Sequence, residues 1–150
     1  MRNLIFLVLI ILLSANMTIA QDSNNVAPKS LFERLGGVEG ITLIVDDVIE
    51  AHMNNPEIKE IFIPYKEQPE RLAYIRQHPI DFFSAGSGGP VEYKGRDMPS
   101  THKGMNINAH QYMCVMDDIL SVLDEHEIDE ESKKDVLAIL WSLKNSIMHK

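Results

Sequence analysis

The sequence of 150 residues is poor in cysteine, with Cys114 as its single one. One cysteine cannot form an internal disulfide, and it excludes the Cys-x-x-Cys-His signature of covalently attached c-type haem. No His-Glu-x-x-His motif or clustered cysteine and histidine spacing is present either, so the sequence does not predict a structural zinc site. We therefore expect Cys114 to be an ordinary buried apolar residue.

Basic residues are also scarce. Lys and Arg number 14 against 22 Asp and Glu, which gives a formal net charge of −8. Such an acidic surface disfavours DNA, RNA and anionic lipid, so we expect no nucleic-acid partner. The glycine-rich stretch at 86–90 lacks the Lys-Ser/Thr ending of a phosphate-binding loop, and we interpret it as a flexible turn.

The first 20 residues have the layout of a secretory signal peptide. Arg2 supplies a positive end, residues 4–13 form an apolar run, and a small, polar stretch ends at Ala20. We predict cleavage before Gln21 and export to the periplasm or the medium, which would take the net charge from −8 to −9 through loss of Arg2. The alternative is an uncleaved N-terminal anchor, although the apolar run is shorter than the roughly 20 residues that span a bilayer.

The rest of the chain reads as a polar lead-in at 21–29 and one domain at 30–150. Apolar residues recur with helical spacing and no segment alternates like a strand, so we predict an all-α fold. Helices are expected at 30–35, at 38–53, from Pro69 with a kink or break at Pro79, after an Asn108–Gln111 capping pair, and after the acidic residues 129–131. One or two turns are expected at 57–62, followed by a connector at 63–68.

Two of the six histidines stand out from the others. We expect His52 to be a hydrogen-bonded core residue, and the remaining three, at 110, 126 and 149, to be ordinary side chains near helix ends. His78 and His102 are flanked by large apolar side chains, namely Phe82, Phe83, Met98 and Met105. A flat apolar cofactor between them would bury much surface, and neutral imidazole is a common ligand of haem iron. From spacing alone this signal is weak.

From Ser30 onward the sequence resembles the group 1 truncated haemoglobins. The matching motifs lie at 31–37, 61–62, 81–90, 93–98 and 102–107. The resemblance implies a two-over-two helical sandwich that encloses haem b. It also implies that His102 is the proximal iron ligand, that Phe62 stacks on the porphyrin and that Phe83 is a second pocket aromatic. Further pocket residues expected from the match are Ile75, His78, Phe82, Tyr93, Met98 and Met105.

The distal side departs from the common pattern of that family. The tyrosine and glutamine with which many members hold bound oxygen are replaced by Ile49 and Pro79. Tyr65 or Tyr74 could supply a substitute donor. His78 matches a histidine that closes the sixth position on iron in cyanobacterial members, and the alternative is a pocket-edge histidine near a propionate.

Three further positions bear on how the cofactor would be held. Asn145 stands where some cyanobacterial relatives attach haem through a histidine, so that linkage is not expected. Lys94 and Arg96 are either propionate partners or part of a solvated loop.

The resemblance implies reversible binding or transport of a diatomic gas, O2, NO or CO. It also allows nitric oxide dioxygenation or a weak peroxidase activity, with an unidentified reductase as partner. A bis-histidine redox, electron-transfer or sensor module is the main alternative, and a cofactor-free helical interaction domain is the third. The sequence does not indicate an oligomeric state.

Overall fold

A computed structural model describes residues 27–150. The predicted signal peptide at 1–20 and residues 21–26 of the lead-in lie outside this range. Within it the chain forms helices and no strands, which confirms the all-α prediction. The helices are α1 (Leu31–Arg34), α2 (Gly37–Asn54), α3 (Lys59–Lys66), α4 (Pro69–Gly86), α5 (Met98–Thr101), α6 (Ala109–Glu125) and α7 (Glu130–Ile147). Among residues 27–150, no helix has both the length and the apolar character needed to cross a membrane.

Side-chain caps set the beginnings of four of these helices, α1, α5, α6 and α7. Ser30 forms a capping box with Glu33 at α1, and Asn108 forms the predicted one with Gln111 at α6. Asp129 accepts a backbone N–H at the start of α7. Each cap pairs amides that have no partner inside the helix, which stabilises a helix by about 1 kcal/mol.

Two prolines lie inside helices, where the sequence predicted an interruption. Residues 63–66 were expected in a connector, but α3 continues through Pro64 to Lys66. Helix α4 begins at Pro69 as predicted and runs through Pro79 to Gly86. Of the predicted kink or break, the break is therefore absent, and the kink stays a prediction. Proline removes one helical hydrogen bond, but packing of α4 against α2 and α3 compensates for that loss.

The core lies between two layers of paired helices. Helix α2 packs against α4 and α6, and α6 packs against α7. The side chains that fill the interior are apolar and buried, among them Ile41 and Val45 of α2, Ile80 of α4, Met116 and Leu123 of α6, and Val136 and Leu140 of α7. Full burial of such a side chain contributes about 1.5–3 kcal/mol. Most of the predicted site residues lie on α4 or in the 87–107 segment, and Phe62 lies on α3.

Candidate functional site

His102 is positioned by the short helix α5. Asp97 caps this helix by accepting the backbone N–H of Ser100 at 2.8 Å, and His102 is its C-terminal capping residue. The imidazole Nδ1 lies 2.9 Å from the carbonyl oxygen of Met98. Because a carbonyl only accepts, Nδ1 carries a proton, and in the neutral imidazole Nε2 then keeps its lone pair. Iron-binding histidines are oriented by this kind of bond, so His102 has the tautomer that a metal ligand needs.

Tyr93 is fixed by its own loop. Its hydroxyl donates to the carbonyl of Arg96 at 2.9 Å, and burial raises the pKa of Tyr93. A Cβ at Gly95 would lie only 2.2 Å from that hydroxyl oxygen, so glycine is required for the ring to lie where it does. The loop therefore aims this ring at α4.

Helix α4 and the Tyr93 loop bring four predicted site residues together. Phe82 meets Phe83 and Tyr93 edge to face, with ring centroids 5.9 and 5.4 Å apart. The His78 imidazole lies 6.4 Å from the Tyr93 ring and 4.4 Å from the ring of Tyr74, also edge-on. Such contacts add about 0.5–1.5 kcal/mol each beyond burial. The four predicted residues and Tyr74 form one aromatic group along one side of α4.

Phe62 lies on α3, and its ring packs against the His52 imidazole, with the two ring centroids 4.9 Å apart. His52 is 5 % exposed, and its Nδ1 lies 2.9 Å from a carboxylate oxygen of Asp118. The other oxygen of Asp118 accepts from the Asn55 amide at 2.8 Å. Burial lowers the pKa of His52, and Asp118 opposes that effect in part. The prediction of a hydrogen-bonded core histidine is therefore confirmed.

The roles of Asp118 and Asn55 were not found from the sequence. A signal was available for Asp118, since it follows Val115 by three residues and precedes Val122 by four. It thus lies on the apolar face of α6, where a carboxylate needs a partner. Nothing in the sequence marked Asn55 as that carboxylate's second donor.

The remaining predicted pocket residues are half-buried, namely Ile75, Met98 and Met105. Met105 and Phe83 also pack against the main core. Lys94 lies 3.5 Å from Glu92, and both side chains are exposed. This placement is compatible both with a propionate partner and with a solvated loop. The ring of Tyr65 faces the guanidinium of Arg71 at 5.4 Å.

Cys114 is half-buried rather than buried, so that expectation is wrong. It lies on α6 with its sulfur 3.8 Å from Nε2 of His110, an exposed side chain that pairs with Glu57 at 3.0 Å. Partial burial and nearby carboxylates raise the pKa of the Cys114 thiol. His126 pairs with Asp47 at 2.7 Å across α6 and α2. His110 and His126 therefore each pair with an exposed carboxylate.

The family model of the bacterial-like globins matches residues 30–149. The chain belongs to this family. Among its curated relatives, the group 1 truncated haemoglobin of Synechocystis is 29% identical over 114 residues, which cover 73% of this chain and 88% of the relative. That of Mycolicibacterium paratuberculosis is 22% identical over 120 residues, 80% and 85% of the two chains. The resemblance to group 1 truncated haemoglobins is thereby confirmed.

Solved structures give the same fold. The Fe(III) truncated haemoglobin of Tetrahymena pyriformis superposes with a TM-score of 0.73 at 20% identity, covering 81% of this chain and all of that one. The 2/2 haemoglobin of Synechococcus, solved with covalently attached haem, gives 0.71 at 21% identity, covering 80% and 98%. The two-over-two sandwich predicted for this globin is confirmed.

Haem b is the cofactor that membership in this family implies, and the residues present fit it. The bond from Nδ1 of His102 to the Met98 carbonyl selects the neutral tautomer whose Nε2 lone pair can bind iron. Half-buried aromatic and sulfur-containing side chains near it in sequence supply the apolar surface that a porphyrin covers. Family membership thus implies haem-based binding of diatomic gases.

Two residues, Ile49 and Pro79, stand at the positions that the resemblance predicts to be distal. Ile49 lies on α2 and packs against the core, and Pro79 lies inside α4. Neither side chain has a hydrogen-bond donor. Tyr74, one of the two substitutes suggested by the sequence, is 64 % exposed and meets the edge of His78.

Proposed function

We propose that this globin binds O2 and NO reversibly at a haem b iron held by Nε2 of His102. The observation that carries the proposal is the 2.9 Å bond from Nδ1 of His102 to the carbonyl of Met98. When bound, haem would supply the iron that coordinates a diatomic gas. The bond to Met98 fixes the imidazole plane and its tautomer and makes Nε2 the more basic, so His102 sets the electron density at the metal.

The distal residues support weak retention of oxygen. By the resemblance, Ile49 and Pro79 stand at the positions where many relatives carry tyrosine and glutamine, and neither side chain has a hydrogen-bond donor. A gas bound there would lack two hydrogen bonds, each with a net value of about 1 kcal/mol. Oxygen should therefore leave faster than from relatives with both donors, which stopped-flow release measurements would show.

The proximal role is tested by haem retention in two histidine variants. His102→Ala should lose haem readily to an apoprotein acceptor. His110→Ala is the matched control, because His110 is exposed and bound to Glu57. Equal retention by both variants would remove His102 from the proposal.

A second candidate is a bis-histidine redox or sensor module, and the position of His78 favours it. The imidazole is half-buried on α4 between the edges of Tyr74 and Tyr93, so it is held within the aromatic group rather than free in solvent. If His78 closes the sixth position, the ferric protein is low-spin, and His78→Ala should convert it to high-spin. A high-spin spectrum in the unmodified protein would instead leave His78 as a pocket-edge residue.

We further propose a secondary activity toward nitric oxide. One NO, one O2 and one electron together give nitrate, so turnover needs a reductant, which a partner reductase would supply. Nitrate should accumulate in step with NO consumption when haem-loaded protein is mixed with oxygen and a chemical reductant. Failure to form nitrate would restrict this globin to gas binding.

The N-terminal pattern supports a proposal of export. Residues 1–20 would direct the chain out of the cytoplasm, and the mature protein would begin at Gln21. Mass spectrometry of the protein from a bacterial host should find this N-terminus in the periplasmic or medium fraction. An intact Met1 in the membrane fraction would show an uncleaved anchor instead.

A further inference from the structure

The last residues of the chain are hydrogen-bonded to the loop that follows His102. The Lys150 carbonyl accepts the backbone N–H groups of Gly104 at 2.9 Å and Asn106 at 3.2 Å. In the opposite direction, the His149 N–H donates to the Ile107 carbonyl at 3.0 Å. We call residues 148–150 the strap and residues 103–107 the proximal loop.

The backbone at this junction is held in an unusual conformation. Within residues 27–150, three non-glycine residues have a positive φ, and two of them are here: Asn106 at 47° and His149 at 55°. Gly104 is also left-handed, at 85°. Non-glycine residues keep such angles where surrounding contacts over-determine them. Here those contacts are the hydrogen bonds that join the strap and the loop.

The strap is itself anchored in the core. Its first residue, Met148, ends α7 by donating its N–H to Lys144 at 3.0 Å and packs against the core together with Ile147. Ile107, at the other end of the junction, is 6 % exposed. The proximal loop is therefore tied to α7, a helix that carries none of the predicted site residues.

The junction connects directly to His102. The carbonyl of His102 accepts the N–H of Met105 at 3.0 Å, so the proximal loop folds back on the histidine that precedes it. On its other side the His102 ring is held by the carbonyl of Met98. Helix α5 thus sets the ring's tautomer, while the proximal loop limits how far its backbone can shift.

We propose that the strap is a positioning element for His102: its hydrogen bonds to Gly104, Asn106 and Ile107 hold the proximal loop in place and slow release of haem. The proposal rests on the proposed function for its haem-related part. The hydrogen bonds themselves, and the order that they impose on residues 103–107, belong to the polypeptide and do not depend on haem.

Two variants remove the strap's bonds. A chain ending at Met148 lacks both His149 and the Lys150 carbonyl. His149→Pro removes the donor, and its ring cannot reach a φ of 55°, so this full-length variant tests the junction independently. His149→Gly is the conservative variant, since glycine keeps the N–H and adopts positive φ freely. Asp129→Ala is the control, because it weakens α7 at its opposite end, where Asp129 accepts the N–H of Ser132.

The first measurement is amide hydrogen exchange of residues 103–107 in the folded full-length protein and its variants as purified, whether or not they carry haem. We expect it to quicken about tenfold in the shortened chain and in His149→Pro, as loss of one or two backbone hydrogen bonds would produce. His149→Gly should stay near the unmodified protein, and Asp129→Ala should leave residues 103–107 unchanged. Unchanged exchange in both strap variants would overturn the proposal, whether or not the protein binds haem.

The second measurement is made on haem-loaded protein. Haem loss should be several-fold faster in the strap variants, and the iron–histidine vibration of the ferrous form should shift or broaden. A merely structural role predicts similar haem loss in Asp129→Ala and no change in that vibration, and this result would overturn the proposal. Failure of the unmodified protein to bind haem would refute the proposed function instead, and the exchange experiment would still decide the strap.

Discussion

Replacement of Asp118 by alanine should destabilise the protein by about 2–4 kcal/mol at neutral pH. His52 is 5 % exposed, so its Nδ1–H would lose the carboxylate as its partner in a largely buried position. A buried donor left unpaired costs about 1–3 kcal/mol. The Asn55 amide also loses its partner at 2.8 Å, although this half-buried group can be rehydrated in part, which adds about 1 kcal/mol. Asp117→Ala, one position earlier on the exposed side of α6, should stay within about 0.5 kcal/mol of the unmodified protein.

The same pair predicts a pH dependence. Burial lowers the pKa of His52 below its ordinary 6.5, so near pH 6 the unfolded chain binds more protons at this residue than the folded one. The stabilisation linked to neutral His52 is therefore fully present above 6.5, the ordinary pKa of the unfolded chain, and is lost as the pH falls below it. Asp118 raises the pKa of His52, so Asp118→Ala should lose more stability on acidification. His52→Asn, which keeps an N–H donor but does not titrate, should lose less.

Urea unfolding of the haem-loaded proteins at pH 7.5 and pH 5.5, followed by far-ultraviolet circular dichroism, measures both effects. If Asp118→Ala and Asp117→Ala have the same free energy of unfolding at pH 7.5, the His52–Asp118 bond does not stabilise the fold. If the unmodified protein becomes more stable toward pH 5.5 than His52→Asn, the sign of the linkage is wrong.

The expected effects of three further substitutions on the free energy of unfolding follow from local geometry. Ser84→Ala should raise the free energy of unfolding by about 1 kcal/mol in urea titrations, since the Ser84 hydroxyl is buried without a hydrogen-bond partner. Gly95→Ala should lower it by about 1–3 kcal/mol and disturb the near-ultraviolet circular dichroism, because the new Cβ would displace the Tyr93 ring. Asn108→Ala should cost about 1 kcal/mol through loss of the bond to the Gln111 N–H, and Asn108→Ser should restore it.

Most of the fold could be predicted because its signals are local. The Asn108–Gln111 box and the acidic start of α7 lie within one turn of the helices that they open. The misplaced part was 63–66, since a proline inside a short helix is tolerated only when tertiary packing compensates for the missing bond. That packing joins α3 to α2 and α4 and leaves no local signature.

The candidate site also combines residues that local motifs single out with contacts that no motif predicts. His102, Phe82 and Tyr93 could be proposed from the sequence because motifs near them in the chain carry the resemblance. The contact of His52 with Phe62 and the bonds of the strap were not found, because they join residues far apart in sequence. Hydrogen bonds to backbone oxygens, such as that of Lys150, involve atoms that every residue has, so the residue types in the sequence do not predict them.

The central claim is that the imidazole of residue 102 binds the haem iron, and chemical rescue of His102→Gly tests it most directly. Removal of this side chain should leave a space next to the metal that free imidazole can fill. We predict that ferrous His102→Gly protein loaded with haem lacks the iron–histidine vibration of the unmodified protein and regains a band close to it on addition of imidazole. An unchanged band in His102→Gly before imidazole is added would show that another residue holds the iron.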